Sequence, residues 1–292
     1  MKRILITGAS GNVGQEVLHY LLELNNHYEV FAAVRNLKKS KQTFKHYPTL
    51  QYRKFDFEDE ATHRDSFEKI DLLFLLRPPH LSDVESVFKP LLKTVKKKGV
   101  TKIVFLSVQG AEKSKVIPHN KIEKLIRELG FDYIFVRPSY FMQNLTTNLL
   151  PEIVKKKTIT LPSGKAKFNW IDVKNIGEAT AKLIIQIEKY QNQAYEITGT
   201  ENKNFGEVAS LITGITGIHI KFESINPISF YFRKKKEGME SGFALVMTML
   251  HFLPRLQAEP AISDNYRRLT GKPPTSLKAF LKRNKAIISS KN

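Results

Sequence analysis

The segment Thr7-Gly8-Ala9-Ser10-Gly11-Asn12-Val13-Gly14 spaces three glycines as G-x-x-G-x-x-G, directly after the apolar run Ile4-Leu5-Ile6. Each glycine answers a separate steric demand. The first allows a tight strand-to-helix turn, the second lets backbone approach a pyrophosphate, and the third lets the next helix pack closely on the strand. Val13, Val17, Leu18, Leu21 and Leu22 then fall at helical spacing. Such a helix turns unpaired N–H groups and the positive end of its dipole toward the phosphate. Gly8, Ser10, Gly11, Asn12, Val13 and Gly14 are therefore the expected contacts of a dinucleotide.

Which dinucleotide fits is set at the end of the second apolar run, 28–34. A carboxylate about 20 residues past the glycines would hydrogen-bond an unphosphorylated ribose. The residue 21 positions after Gly14 is Arg35, followed closely by Lys38 and Lys39. A guanidinium grips a 2′-phosphate that a carboxylate would repel, so NADP(H) is preferred over NAD(H). Asp56, after the third run, is expected at the adenine edge, with a turn cap as its competing role. Leu76 and Arg77, after the fourth, should line the ribose side, and His80 in the same loop is a candidate substrate contact. Ser107, after the fifth, is placed to hydrogen-bond the nicotinamide end, because ligands of such sheets sit at the carboxyl ends of the strands.

Positioning these residues requires strands that alternate with helices. Apolar runs at 28–34, 51–55, 70–76, 102–107 and 133–136 are separated by helical patterns at 37–43, 60–67, 82–98 and 118–129, with Ser82 as a candidate cap of the third. Alternation of this kind forces parallel pairing and right-handed crossovers. The expected fold is α/β: a Rossmann-type doubly wound parallel sheet over residues 1–140, completed by 169–199. Its last helix is expected at 177–189, with Asp172 as a cap, and its last strand at 194–198. A second, smaller C-terminal α/β domain, for substrate or partner, is expected from 141–168 plus 200–292.

The chain has 292 residues and 41% hydrophobic content, enough for a sizeable core, and no cysteine, which excludes disulfides and thiolate chemistry. No histidine–carboxylate spacing recommends a metal site. The first strand begins almost at residue 1, leaving no room for a signal peptide, and the longest apolar stretch, 243–252, is half of the ~20 residues a membrane span needs. A cytoplasmic protein without a membrane span is the expectation. Net charge is +19, and residues 232–292 hold 13 basic against four acidic side chains. No nucleic-acid motif accompanies that excess, so a solvated basic surface is expected rather than a nucleic-acid partner.

The chain resembles the NmrA-like branch of the atypical short-chain dehydrogenase/reductase superfamily. The resemblance rests on residues 7–14, Val34-Arg35-Asn36, Ser107, His119-x-x-x-Glu123, Arg137-Pro138-Ser139 and Thr270-Gly271-Lys272-Pro273-Pro274. It spans most of the chain and is more specific in the cofactor half. Members include NADPH-dependent quinone reductases, triphenylmethane-dye reductases and redox-sensing regulators that bind the cofactor without turnover. The label nucleoside-diphosphate-sugar epimerase-like is also attached to such chains.

Active dehydrogenases and epimerases of the superfamily carry Tyr-x-x-x-Lys on the helix after strand five. Here those positions are His119 and Glu123, and the only such pattern, Tyr231 with Lys235, lies far downstream. The resemblance implies that Pro138 contacts the nicotinamide end, with the pocket floor just beyond it. Gln109, Tyr140 and Phe141 are further candidate substrate contacts, the two rings suiting a flat acceptor. His119, with an ordinary pKa near ~6.5, is the candidate catalytic group. Its competing role is a helix-start residue, and Glu123 would either orient it or face solvent. The expected function is NADPH-dependent reduction of a quinone-like or other conjugated small molecule. The alternatives are a non-catalytic NADP(H)-sensing regulator with a protein partner and, more weakly, a sugar-nucleotide epimerase.

Overall fold

Leu72–Leu76, a run of leucines around one phenylalanine, is buried at its first four positions, as a strand covered on both faces must be. It is β4 of a seven-stranded sheet in a computed structural model that describes residues 2–24 and 28–290. The others are β1 (Lys2–Ile6), β2 (Tyr28–Val34), β3 (Gln51–Lys54), β5 (Lys102–Leu106), β6 (Asp132–Pro138) and the strand Gln193–Ile197. Their order is Gln193–Ile197, β6, β5, β4, β1, β2, β3, and every pairing is parallel. The order reverses direction between β1 and β4, which is the switch point where such sheets open a crevice. The doubly wound architecture is thus as the strand–helix alternation requires.

Helices α1 (Asn12–Leu24), α2 (Leu37–Thr43), α3 (His63–Ser66), α4 (Lys89–Lys97) and α5 (Pro118–Glu128) lie between the strands. The helix expected at 82–98 begins differently. Asp83, not Ser82, accepts the capping bond from the Ser86 amide at 3.0 Å, and Val84–Phe88 is wound as a wide π turn before α4. Pro90 supplies the reason: it has no N–H for the carbonyl of Ser86, so an α-helical bond cannot form there. The helix expected at 177–189 runs instead from Val173 to Ile185, followed by a separate turn at Ile187–Tyr190. It packs against α1 at Gly177, where a Cβ would stand 2.5 Å from Glu16 Cβ and 2.7 Å from its carbonyl carbon. That contact admits only glycine.

The chain divides into two compact units. The first comprises the residues up to Pro138, Val173–Ile197 and Asn265–Lys272; the second comprises Ser139–Asp172, Thr198–Asp264 and the residues from Pro273 onward. Residues 265–272, grouped by sequence with the second domain, fold with the first. Tyr266 is 1% exposed and donates to Glu178 Oε2 at 2.6 Å, while Asn175 donates to the Tyr266 oxygen at 2.8 Å and Lys272 pairs with Glu178 at 2.9 Å. All of these partners belong to the first unit.

The second unit has its own core, including Met142, Leu145, Ile159, Phe168, Trp170, Phe205, Phe230 and Phe280. Two small sheets support it: Thr158–Leu161 beside Lys221–Ser224, and Phe168–Ile171 between Tyr140–Phe141 and Asn202–Lys203. Asp172, expected to cap a helix, is fully buried and holds an ion pair with Arg283 at 2.7 Å and a hydrogen bond from Gln143 at 2.7 Å.

Candidate functional site

At the carboxyl end of β1, Gly8 has φ +62° and turns the chain so that the Gly11 amide donates back to the Gly8 carbonyl at 2.9 Å. Ser10, Gly11 and Asn12 are exposed at the crest of the loop, and the Gln15 side chain braces it by donating to the Ser10 carbonyl at 2.8 Å. Val13 and Gly14 are buried beneath. A Cβ on Gly14 would sit 2.1 Å from the Gly8 oxygen and 2.9 Å from Ala9 Cα, so a glycine is the condition for α1 to meet the turn. The first-turn amides of α1 have no intrahelical acceptor and open onto this crest.

Thr7, which the sequence did not single out, ties β1 to β4. Its hydroxyl donates to the Phe74 carbonyl at 3.1 Å and accepts from the Leu76 amide at 2.8 Å. Leu76 in turn presses its side chain against Gly8, where a Cβ would lie 3.0 Å from Leu76 Cδ2. Arg35, at the end of β2, is exposed and has no ion pair among the described residues; Lys38 and Lys39 beside it are exposed too. Asp56 accepts a weak turn bond from the Glu58 amide at 3.2 Å.

Arg77 folds its guanidinium into its own loop, Nη1 donating to the carbonyls of Pro78, Pro79 and Leu81 at 2.9, 3.1 and 2.6 Å. Its Nε is buried with no partner, and burial pulls the group down to about 10. His80 is exposed and lies 3.8 Å from Glu58. Burial, and then the charge of Arg77, pull the His119 imidazole down to about 3. His119 is therefore neutral across the physiological range, with its ring 6.1 Å from that of Phe105. The shift has a sign that can be worked out. Unfolded histidine takes its proton near pH ~6.5, whereas the folded one resists to about pH 3. Stability from this group is full above pH ~6.5 and lost as pH falls toward 3. Melting temperatures recorded from pH 7 to pH 5 should fall, and the fall should be shallower in His119→Gln; an identical slope would remove His119 as its source.

Glu123 neither orients His119 nor faces solvent. It is fully buried on the apolar stripe of α5, with Ile122 and Ile126, and receives Arg137 Nη2 at 2.6 Å and Nε at 3.0 Å. Ser107 donates its hydroxyl proton to Glu123 Oε1 at 2.6 Å, so only its lone pairs remain for a ligand. Arg137 also pairs with Glu112 at 2.6 Å. Gln109 is held at both ends: its amide donates to the Pro138 carbonyl at 2.9 Å and its side chain to Glu196 at 3.0 Å. An arginine at the end of an apolar strand needs a carboxylate, which is the signal by which sequence could have found this pair.

Tyr140 and Phe141 belong to the second unit. The Tyr140 ring packs edge-on against Phe168, Trp170 and Phe205, at centroid distances of 5.2, 4.9 and 5.9 Å. Its hydroxyl lies 2.9 Å from His251 Nε2, and His251 Nδ1 lies 2.7 Å from the Met247 carbonyl. A carbonyl can only accept, so Nδ1 carries the proton and Tyr140 donates to Nε2. Burial pushes the phenol well above its ordinary range and draws His251 down to about 4. Tyr140 is thus anchored in an aromatic core by its ring edges and its hydroxyl, while the residue remains partly exposed. Among the described residues no cluster of metal ligands occurs, and no helix is long and apolar enough to cross a membrane.

A parallel sheet whose switch point meets a glycine-turned helix N-terminus is the dinucleotide-binding class of α/β fold. The chain belongs to the NmrA-like family, whose profile matches residues 1–281. The prestalk A differentiation protein A of Dictyostelium discoideum is 29% identical over 280 residues, 96% of this chain and 91% of that protein. The NAD(P)H azoreductase of Xenophilus azovorans is 24% identical over 291 residues, 98% of this chain and 99% of that one. An NADPH-dependent quinone oxidoreductase of Escherichia coli, solved in complex with NADPH, has a similar fold. Its TM-score is 0.85 at 21% identity, covering 96% of this chain and 99% of that one.

Proposed function

We propose that this protein binds NADP(H) and reduces a quinone-like or other conjugated small molecule. The residues fit the cofactor: an exposed crest at Ser10, Gly11 and Asn12, a helix start kept close by Gly14, and an uncommitted cation at Arg35. Asp56, Leu76, Ser107 and Pro138 complete the binding edge in this reading, and Arg77 supports it through the loop that it braces. When bound, the cofactor supplies the hydride, and the protein supplies its position.

The observation that carries the acceptor class is the state of His119 and Glu123. A plain carbonyl needs a proton delivered as hydride arrives. Here the imidazole is neutral and the carboxylate is already spent on Arg137. His119 can donate a hydrogen bond to an acceptor oxygen without transferring charge. A conjugated acceptor spreads the electrons it receives over its ring and oxygens, so that bond suffices. His80, Gln109, Tyr140 and Phe141 are the remaining candidates on the acceptor side. The same absence of a proton relay argues against sugar-nucleotide epimerisation. NADPH oxidation should appear with simple quinones, and no turnover across a broad panel of conjugated acceptors would overturn the reading. An NADP(H)-dependent change in binding to a protein partner, without turnover, would replace it by the sensor.

The cofactor preference has a separate test. Arg35→Asp should weaken NADPH binding about 10- to 100-fold, the ~1.5–3 kcal/mol of a charged hydrogen bond, and leave NADH binding nearly unchanged. Fluorescence titration of both nucleotides measures this. Equal affinity of the unaltered protein for NADH and NADPH would overturn the preference.

A further inference from the structure

The helix Ser241–Phe252 is apolar almost all round, with the sequence Ser-Gly-Phe-Ala-Leu-Val-Met-Thr-Met-Leu-His-Phe. Ala244, Met247, Thr248 and His251 are buried in the second unit. On the opposite face Leu245, Val246, Met249 and Leu250 are 54%, 41%, 38% and 45% exposed. A surface helix ordinarily turns polar residues outward, so four large aliphatic side chains in one open stripe call for a partner. Ile228 and Phe232, on the packed neighbouring helix Pro227–Lys236, are 66% and 64% exposed, and Leu256 beyond the stripe is 72% exposed.

The flanks of this stripe carry a cationic excess, five basic side chains against Glu237 and Glu240, the latter capping the helix by accepting from the Gly242 and Phe243 amides. Arg233, Lys234, Lys235 and Lys236 precede it in the chain and Arg255 follows it. Glu237 and Glu152 engage Arg233 and Lys234, whereas Lys236 and Arg255 have no ion pair among the described residues. Arg255 lies over the Phe252 ring at 5.6 Å. We propose that this face docks the protein on an anionic lipid surface, its aliphatic side chains in the acyl boundary and its cations among the phosphates.

Three arguments select that occupant. A second copy would bring two stripes of the same charge together, each flanked by five basic and two acidic residues over 233–255. A protein surface would need side-chain hydrogen bonds, about one per 100–200 Å², and the stripe offers none. A lipid boundary asks only for apolar area and flanking cations. Twelve residues of helix reach about 18 Å, short of a bilayer core of roughly 30 Å, so the helix lies in the surface and does not span it.

The test is co-sedimentation of the full chain with phosphatidylcholine vesicles, with and without phosphatidylglycerol, at low and high salt. The expected result is binding to the anionic vesicles at low salt, at least about fivefold above neutral vesicles and lost at high salt. Leu245→Asp with Leu250→Asp should abolish it, and these exposed sites leave the melting temperature unchanged. No binding to anionic vesicles, or undiminished binding by the double variant, would overturn the proposal. So would a dimer in light scattering that the double variant dissociates. The proposal is independent of the reductase reading, and either can fail alone.

Discussion

Glu123→Ala should destabilise the protein by about 3–5 kcal/mol, the cost of stranding one partner of a buried ion pair. Glu123 is completely buried, and the Arg137 side chain is 11% exposed. Removing the carboxylate leaves the guanidinium with Glu112 alone, on the more exposed side, and leaves the Ser107 hydroxyl without its acceptor. Glu123→Gln keeps the shape and one acceptor oxygen, and should cost less. Denaturant titration measures both. A loss below about 1 kcal/mol for alanine, typical of an exposed pair, would mean that water screens the pair. Ser107 and Arg137 approach the same carboxylate from the ends of β5 and β6, so this variant should also loosen the carboxyl edge of the sheet.

The second large effect is expected at Gly14. A methyl group there would meet Gly8 O at 2.1 Å, Gly8 C at 2.7 Å and Ala9 Cα at 2.9 Å. All three are backbone atoms, so no side chain can swing aside. Gly14→Ala must push α1 away from the turn and spoil the approach of its first amides to a phosphate. NADPH affinity should drop about 10- to 100-fold, equivalent to ~1.5–3 kcal/mol for a charged hydrogen bond. Circular dichroism distinguishes a displaced helix from an unfolded chain. Unchanged affinity in a folded Gly14→Ala protein would separate the glycine loop from nucleotide binding.

The strands and their parallel order were legible because their signals are local. Residues 72–76 are continuous in apolar side chains, as suits a strand buried on both faces, and Gly99 and Gly130 mark helix ends with φ of +83° and +67°. Boundaries went astray where a distant or missing atom decides. Pro90 widens the turn at Val84–Phe88 by withholding an N–H eight residues after the predicted start. The helix Val173–Ile185 begins four residues early because ten of its 13 positions are buried, which masks the amphipathic stripe that locates a helix end. At the site, G-x-x-G-x-x-G followed by Arg35 is contiguous enough to read directly. His119, Glu123 and Tyr140 are not, because a titrating group takes its character from neighbours that fold brings to it.

The sequence by itself determined the sheet, the glycine turn that opens its switch point, and the cation at the end of β2. Each follows from side-chain size, backbone freedom or charge over a few consecutive residues. Only the tertiary structure decided that His119 is neutral, that Glu123 belongs to Arg137 and Ser107, and that Tyr140 donates to His251 inside an aromatic core. It also decided that residues 265–272 return to the first unit and that the apolar run at 243–252 keeps one face open. Desolvation and pairing depend on atoms far apart in the chain, and no spacing along a sequence records them.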